Sequence, residues 1–367
     1  MRPLRPQPLS LLPPLIAQGL PAAARRLGLL AVAALVAACG SSPPAGSSGA
    51  TSAPAAPAAA GAASAAGIRI GIALGGGAAK GFAHIGVIKI LESHGLSPAV
   101  VAGTSAGSVV GALYASGMSA FELQEKAVAL DETRIRDLQL SGGGLLVGQK
   151  LEDYVNEQVR GLTLERMAKP FVAVATRLED GDRTVFARGN TGQAVRASSS
   201  VPGVFQPVVI GRYRYVDGGV VSPVPVDAAR ALGADLVIAV DISSKARGQT
   251  PSGLLGTLSQ TIAIMGQKLG EAELARADVV VRPQVLDIGG ADFSQRSVAM
   301  LEGEKATLAA LPQIRERIAQ VQAAREQAAR LARQKAAEAQ RQACLEQRSR
   351  LQKLAGLAGL DSGCAAP

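Results

Sequence analysis

Gly103-Thr104-Ser105-Ala106-Gly107 is a G-x-S-x-G pentapeptide. The apolar run "PAVVA" enters it and the run "AGSVVGALYASG" leaves it. That pattern predicts a strand, a sharp turn and a helix, the arrangement that exposes a serine hydroxyl. Gly103 and Gly107 let the backbone turn tightly, and a helix start beyond Ser105 favours developing negative charge. A nucleophilic serine needs a base. The chain has two histidines, His84 and His94, and both precede Ser105. No histidine follows the serine, so the order Ser…Asp…His is excluded. Orders that place an aspartate before the serine fail too, because the first aspartate is Asp131. A carboxylate held against the hydroxyl and partly desolvated can serve instead. The candidate is Asp217 in "YRYVDGGVVSPVPV", 112 residues downstream. Gly218 and Gly219 would let its carboxylate face the elbow, although Asp-Gly-Gly taken alone reads as a β-turn.

A third element is "ALGGGAAKGFAHIGV". Gly75, Gly76 and Gly77 lie between an expected strand and an expected helix, where backbone N–H groups form a nest for an oxyanion. A dinucleotide fingerprint would need an acid at the end of the next strand. That strand ends in Ala102-Gly103. A phosphate-binding P-loop is excluded because Lys80 is followed by Gly81 rather than by Ser or Thr. His84 and His94 read as helix-packing or surface residues, and no metal or cofactor is expected.

These residues must be positioned by a larger frame. The run "IRIGIAL" and the stretches "PAVVAG", "ADLVIAVDIS" and "ADVVVRPQV" predict buried strands. Phe82, Ile85, Val87, Ile88 and Leu91 suit a helix packed on a sheet and closed by Gly95. "PFVAVATRLEDGDRTVFARG" predicts two strands across an Asp-Gly turn. Strand, tight turn and helix recur, which is an α/β class with a mainly parallel central sheet. "LSGGGLLVGQ" is expected to be a surface loop near the site.

The ends have other compositions. Arg25-Arg26 precede the 12-residue apolar run "LGLLAVAALVAA" and then Cys39. This reads as a secretory signal over residues 1–38, too short to span a bilayer. "LVAAC" resembles a bacterial lipobox, which implies a lipidated Cys39 and stable anchoring of the mature chain. Gly40 and Ser41 follow, and by the same resemblance imply the outer membrane, facing the periplasm. Residues 39–67 are rich in Ala, Ser, Pro and Gly and read as a flexible tether. The net charge is +9 over 367 residues. Residues 315–353 hold ten basic and four acidic side chains, so the basicity belongs to the tail. Residues 313–367 are expected to form a basic helical tail, either solvated, in contact with anionic head groups or in a weak coiled coil. Nucleic acid is not expected as a partner of an exported chain. Cys344 and Cys364 could pair in an oxidising compartment.

Gly75-Gly76-Gly77 with Lys80-Gly81, then Ser105 in G-x-S-x-G, then Asp217-Gly218-Gly219, resemble in that order the bacterial patatin-like phospholipases. "ASSSVPGVFQPV" and "DGGVVSPVPVDAARALGADLVIAVDIS" add to the likeness, which covers roughly residues 68–283. It implies a three-layer α/β/α patatin-like fold, with a catalytic domain over residues 68–312. It implies a Ser-Asp dyad of Ser105 and Asp217, with an oxyanion held by the Gly75–Gly77 loop and the Ala106 N–H. It further implies a lipid or phospholipid acyl ester as substrate, cleaved through an acyl-enzyme. The sequence departs from the family's loop: Gly75, Gly77 and Gly81 give G-x-G-x-x-x-G, one residue longer than the usual spacing, and if the register starts at Gly76, Ala78 replaces a glycine. A serine peptidase or thioesterase with the same dyad, and a non-enzymatic surface lipoprotein, are the alternatives.

Overall fold

A computed structural model describes residues 67–135, 137, 146–244 and 253–355. Cys39, Cys364, residues 1–66 and most of the "LSGGGLLVGQ" stretch lie outside the described residues.

Among the described residues the frame is one eight-stranded sheet. β1 (Ile70–Leu74) lies between β2 (Val100–Thr104) and β7 (Leu236–Val240), parallel to both. β3 (Phe171–Arg177) extends the sheet parallel to β2, and β8 (Val279–Val281) extends it parallel to β7. The edge beyond β3 turns antiparallel, with β6 (Tyr213–Asp217) on β3 and β5 (Val208–Ile210) on β6. β4 (Arg183–Phe186) also pairs antiparallel with β3, across the expected Asp-Gly turn. The parallel strands are covered on both faces, which is why they read as continuous apolar runs rather than as alternating ones.

Helices form the two outer layers. Ile70, Ile72 and Leu74 of β1, with Leu236, Ile238 and Val240 of β7, face one large apolar core. That core is closed by α1 (Phe82–Ser93), α2 (Ala106–Ala115), α3 (Ala120–Ala129) and α4 (Gln149–Gln158). Ala73, Val100, Ala102, Val172, Val174, Val237 and Ala239 face the other way. They meet α6 (Val226–Ala231) and Leu274 at the end of α7 (Gly253–Leu274). α5 (Thr191–Ser198) packs Ala197 against Ala175 and Tyr215 at the antiparallel edge. The architecture is therefore helices on both faces of a mostly parallel sheet.

The tail differs from the expectation at its start. α8 runs from Arg296 to Ala355, so the boundary placed at 312/313 falls inside one helix. The reason is packing. Ala299, Met300, Ala310, Leu311, Ile314 and Ile318 of α8 are buried in the same core as α1. Lys89 of α1 pairs with Glu304 at 2.9 Å. Farther on, Arg325 pairs with Asp235 and donates to the Gly67 carbonyl at 3.0 Å. Beyond it the side chains of α8 are mostly exposed. Among the described residues no helix is long and apolar enough to cross a membrane.

Candidate active site

Ser105 sits between β2 and α2 with φ 53° and ψ −125°. A non-glycine residue with positive φ is strained by about 1–3 kcal/mol and persists only where its surroundings enforce it. Here α2 starts directly over the end of β1. A Cβ on Gly107 would lie 2.1 Å from the Leu74 carbonyl oxygen, so only glycine permits the crossing. Gly103 is under the same turn, its side-chain space filled by the Gly107 carbonyl. The elbow is tied down by hydroxyls. The Ser105 N–H donates to Ser198 Oγ at 2.9 Å, and Ser198 Oγ donates to the Val174 carbonyl at 2.6 Å. Ser108 Oγ donates to the Ser105 carbonyl at 2.7 Å. Ser198 had no functional reading in the sequence; the only signal was its place in the "ASSSVPGVFQPV" segment.

Asp217 closes β6, in register with Ala175 of β3. Its N–H donates to the Ser200 carbonyl at 2.8 Å, and its carbonyl accepts from Thr176 Oγ1 at 2.8 Å. Gly218 presses on β3: a Cβ there would lie 2.1 Å from the Val174 carbonyl oxygen and 3.1 Å from Thr104 Cγ2, next to Ser105. Gly219 supplies an amide, which donates to Asp217 Oδ1 at 2.7 Å. Asp217 is 6% exposed, and its Oδ2 is buried without a hydrogen-bond partner among the described residues. Burial pushes its pKa up from 3.8 to about 6, against the pull of the Ser105 hydroxyl and the Gly219 amide. The fold thus brings Ser105 and Asp217 together, with one carboxylate oxygen unpaired among the described residues.

The glycine-rich loop is placed beside them, but not all its amides are available. A Cβ on Gly76 would lie 3.2 Å from Ser105 Cβ. The Gly75 N–H donates to the Val240 carbonyl at 3.1 Å and the Gly76 N–H to the Pro223 carbonyl at 3.0 Å. The expectation that these two amides serve an oxyanion is therefore corrected: both are spent in holding the loop. Among the described residues, the Gly77 and Ala78 amides have no acceptor. The Ala106 N–H opens α2, where helix geometry leaves the first amides without an intrahelical partner. Ala78 has φ 52°, a conformation that favours glycine.

Lys80 is 4% exposed, and its Nζ donates to Ser244 Oγ at 2.7 Å. Gly81 abuts the Ala106 side chain. His94 is exposed at the end of α1, its Nδ1 2.8 Å from the Ile90 carbonyl. His84 is fully buried, with Nε2 2.8 Å from the Gly75 carbonyl. Burial lowers its pKa to about 4, so the imidazole is neutral.

The fold and the site resemble those of the patatin-like phospholipases. Residues 72–230 match the model of that family and form a patatin-like phospholipase domain. An uncharacterized NTE family protein of Mycobacterium tuberculosis is 36% identical over 182 residues, 49% of this chain and 51% of that protein. A second from the same organism is 29% identical over 273 residues, 67% of this chain and 47% of its own length. Patatin-like phospholipase domain-containing protein 6 of Mus musculus is 32% identical over 187 residues, 14% of that protein. The chain spans about half the length of the bacterial relatives it matches. Among solved structures, VipD from Legionella pneumophila superposes with a TM-score of 0.45 at 14% identity, covering 66% of each chain.

Proposed function

We propose that the domain is a serine lipid acyl hydrolase working through a Ser105–Asp217 dyad. The observation that carries the proposal is a serine strained at a strand–helix elbow, opposite a buried carboxylate with one unpartnered oxygen. Asp217 takes the Ser105 proton as Oγ attacks the ester carbonyl. The carbonyl oxygen becomes an oxyanion facing the Gly77 and Ala106 amides, which stabilise it as preorganised dipoles. The leaving alcohol takes the proton back from Asp217. Water, deprotonated by the same carboxylate, then attacks the acyl-serine and releases the fatty acid.

Two observations support a lipid rather than a peptide or thioester. The family description is of phospholipases. α7, which rests on the Asp217-Gly218-Gly219 turn, also exposes Leu258, Ile264, Met265 and Leu269 to solvent. Such a helix suits a site that meets a lipid surface. Cys39 is proposed as the lipidated residue, holding the domain by its tether at the outer membrane on the periplasmic side. The test is a panel of phospholipids, lysophospholipids, acyl thioesters and peptides offered to the protein and to its Ser105→Ala variant. Ser105-dependent cleavage of acyl esters is expected; cleavage confined to thioesters or peptides would overturn the substrate class. The anchor is tested by fractionating cells that express Cys39→Ala, which should release the protein from the membrane fraction. Retention there would refute lipidation.

A further inference from the structure

We propose that His84 and Glu273 act as positioning residues, pinning the Gly75–Gly76 peptide plane from its two ends and so aiming the Gly77 amide at the reacting carbonyl. The inference rests on the hydrolase reading given above and extends it to two side chains that the reaction itself does not touch.

The peptide between Gly75 and Gly76 has one acceptor and one donor, and each is held by a different part of the fold. Its carbonyl oxygen lies 2.8 Å from His84 Nε2. A carbonyl only accepts, so Nε2 carries the hydrogen and Nδ1 presents a bare lone pair. That Nδ1 is buried without a partner among the described residues. Leaving a buried polar atom unmatched costs about 1–3 kcal/mol, and an apolar side chain would fill the same place on α1 without that loss. His84 is thus poorly explained as a packing residue and well explained by the one bond it makes.

The other end of the same peptide, the Gly76 N–H, donates to the Pro223 carbonyl at 3.0 Å. Pro223 follows the Asp217 turn, and Glu273 grips it on both sides. Glu273 Oε1 accepts from Ser222 Oγ at 2.5 Å, and Oε2 accepts from the Val224 N–H at 2.8 Å. Glu273 is 5% exposed on α7. Thr104 Oγ1, next to the nucleophile, also donates to the Ser222 carbonyl at 2.8 Å. One carboxylate therefore fixes the segment that touches the oxyanion loop, the nucleophile strand and the Asp217 turn.

The clamp matters because glycine–glycine peptides rotate easily. Freeing the Gly75–Gly76 plane lets the Gly76 Cα shift, and with it the next peptide, which carries the Gly77 N–H. Misplacing such a donor by about 1 Å costs on the order of a hundredfold in rate.

The test compares full-length His84→Leu, His84→Gln, Glu273→Gln, the double variant His84→Leu/Glu273→Gln and Ser105→Ala. The readouts are kcat and KM on an acyl ester, and the rate at which a fluorophosphonate labels Ser105. His84→Leu is expected to lower kcat and the labelling rate by about tenfold to a hundredfold with KM unchanged. His84→Gln, which keeps an amide donor, should recover most of that loss. The double variant should fall little below the worse single one, since either change frees the same plane. A His84→Leu protein with the wild-type kcat and labelling rate overturns the clamp while Ser105→Ala still reports a working site. So do losses that fall on KM, or that multiply in the double variant. If Ser105→Ala turns over ester like the wild type, the hydrolase reading fails instead. A crystal structure of His84→Leu reads the clamp without turnover: a rotated Gly75–Gly76 peptide supports it, and an unmoved one refutes it.

Discussion

Replacing Asp217 with asparagine should make the protein more stable at neutral pH while abolishing hydrolysis. Asp217 is buried, and its pKa is pushed from 3.8 to about 6. A carboxyl whose pKa is raised on folding holds its proton more tightly in the native state than in the unfolded one. Stability therefore falls as pH rises from about 4 to about 6, and the penalty is fully present above that. About 2 pKa units correspond to about 3 kcal/mol. Asparagine keeps the Gly219 N–H bond to its side-chain oxygen and removes the buried charge, so this is the upper bound of the gain. His84 runs the other way. Its pKa is lowered on folding from 6.5 to about 4, so its contribution is lost as pH falls through that window. Subtracting the wild-type curve from the variant curve cancels His84 and isolates Asp217. Urea denaturation of both proteins at several values between pH 4 and pH 8 is the assay. The stability difference should be near zero at pH 4 and approach about 3 kcal/mol above pH 7. A difference that does not vary with pH would refute the buried-carboxylate account, as would an Asp217→Asn protein that still hydrolyses esters.

The same raised pKa predicts an acid limb in kcat/KM centred near pH 6, because the base must be ionised to act; a flat profile between pH 5 and 7 would contradict it. Ser105→Gly should be more stable than Ser105→Ala by about 1 kcal/mol in denaturant titrations, since only glycine relieves the positive φ; equal stabilities would mean the elbow stores no strain. Gly107→Ala should destabilise by about 3 kcal/mol, at the upper end for overpacking, because the added Cβ meets the Leu74 carbonyl; an unchanged denaturation midpoint would show that the elbow can relax. Ala78→Gly should leave the fold intact and raise its stability by up to about 1 kcal/mol through release of the positive φ; a loss would show that the Ala78 conformation is not strained.

The proposed pairing of Ser105 with Asp217 was legible because its constraints are local. An apolar strand entering G-x-S-x-G, and glycines following Asp217, each state in a few residues what the backbone must do there. The absence of a later histidine and the late first aspartate then left little else as base. The parallel sheet was legible for a similar reason, since strands buried on both faces read as unbroken apolar runs. What the sequence could not state was which amides of the glycine-rich loop are free. That depends on Val240 and Pro223, which reach Gly75 and Gly76 only through the strand order of the finished sheet. Ser198 and Glu273 were hidden for the same reason, being single polar residues whose partners are far away in the chain. His84 fitted the apolar face of a helix, and its burial is real, but its bond to Gly75 is visible only in three dimensions. The tail boundary was misplaced because composition changes near Arg315 while the helix itself begins at Arg296. Packing against α1 covers the first part of α8 and leaves the second to solvent, with no break in the backbone between them.

The most direct measurement is the release of free fatty acid from phospholipid micelles by the purified protein and by Ser105→Ala. The account predicts steady release by the wild type and none above the blank for the variant. Equal release by the two proteins would contradict it.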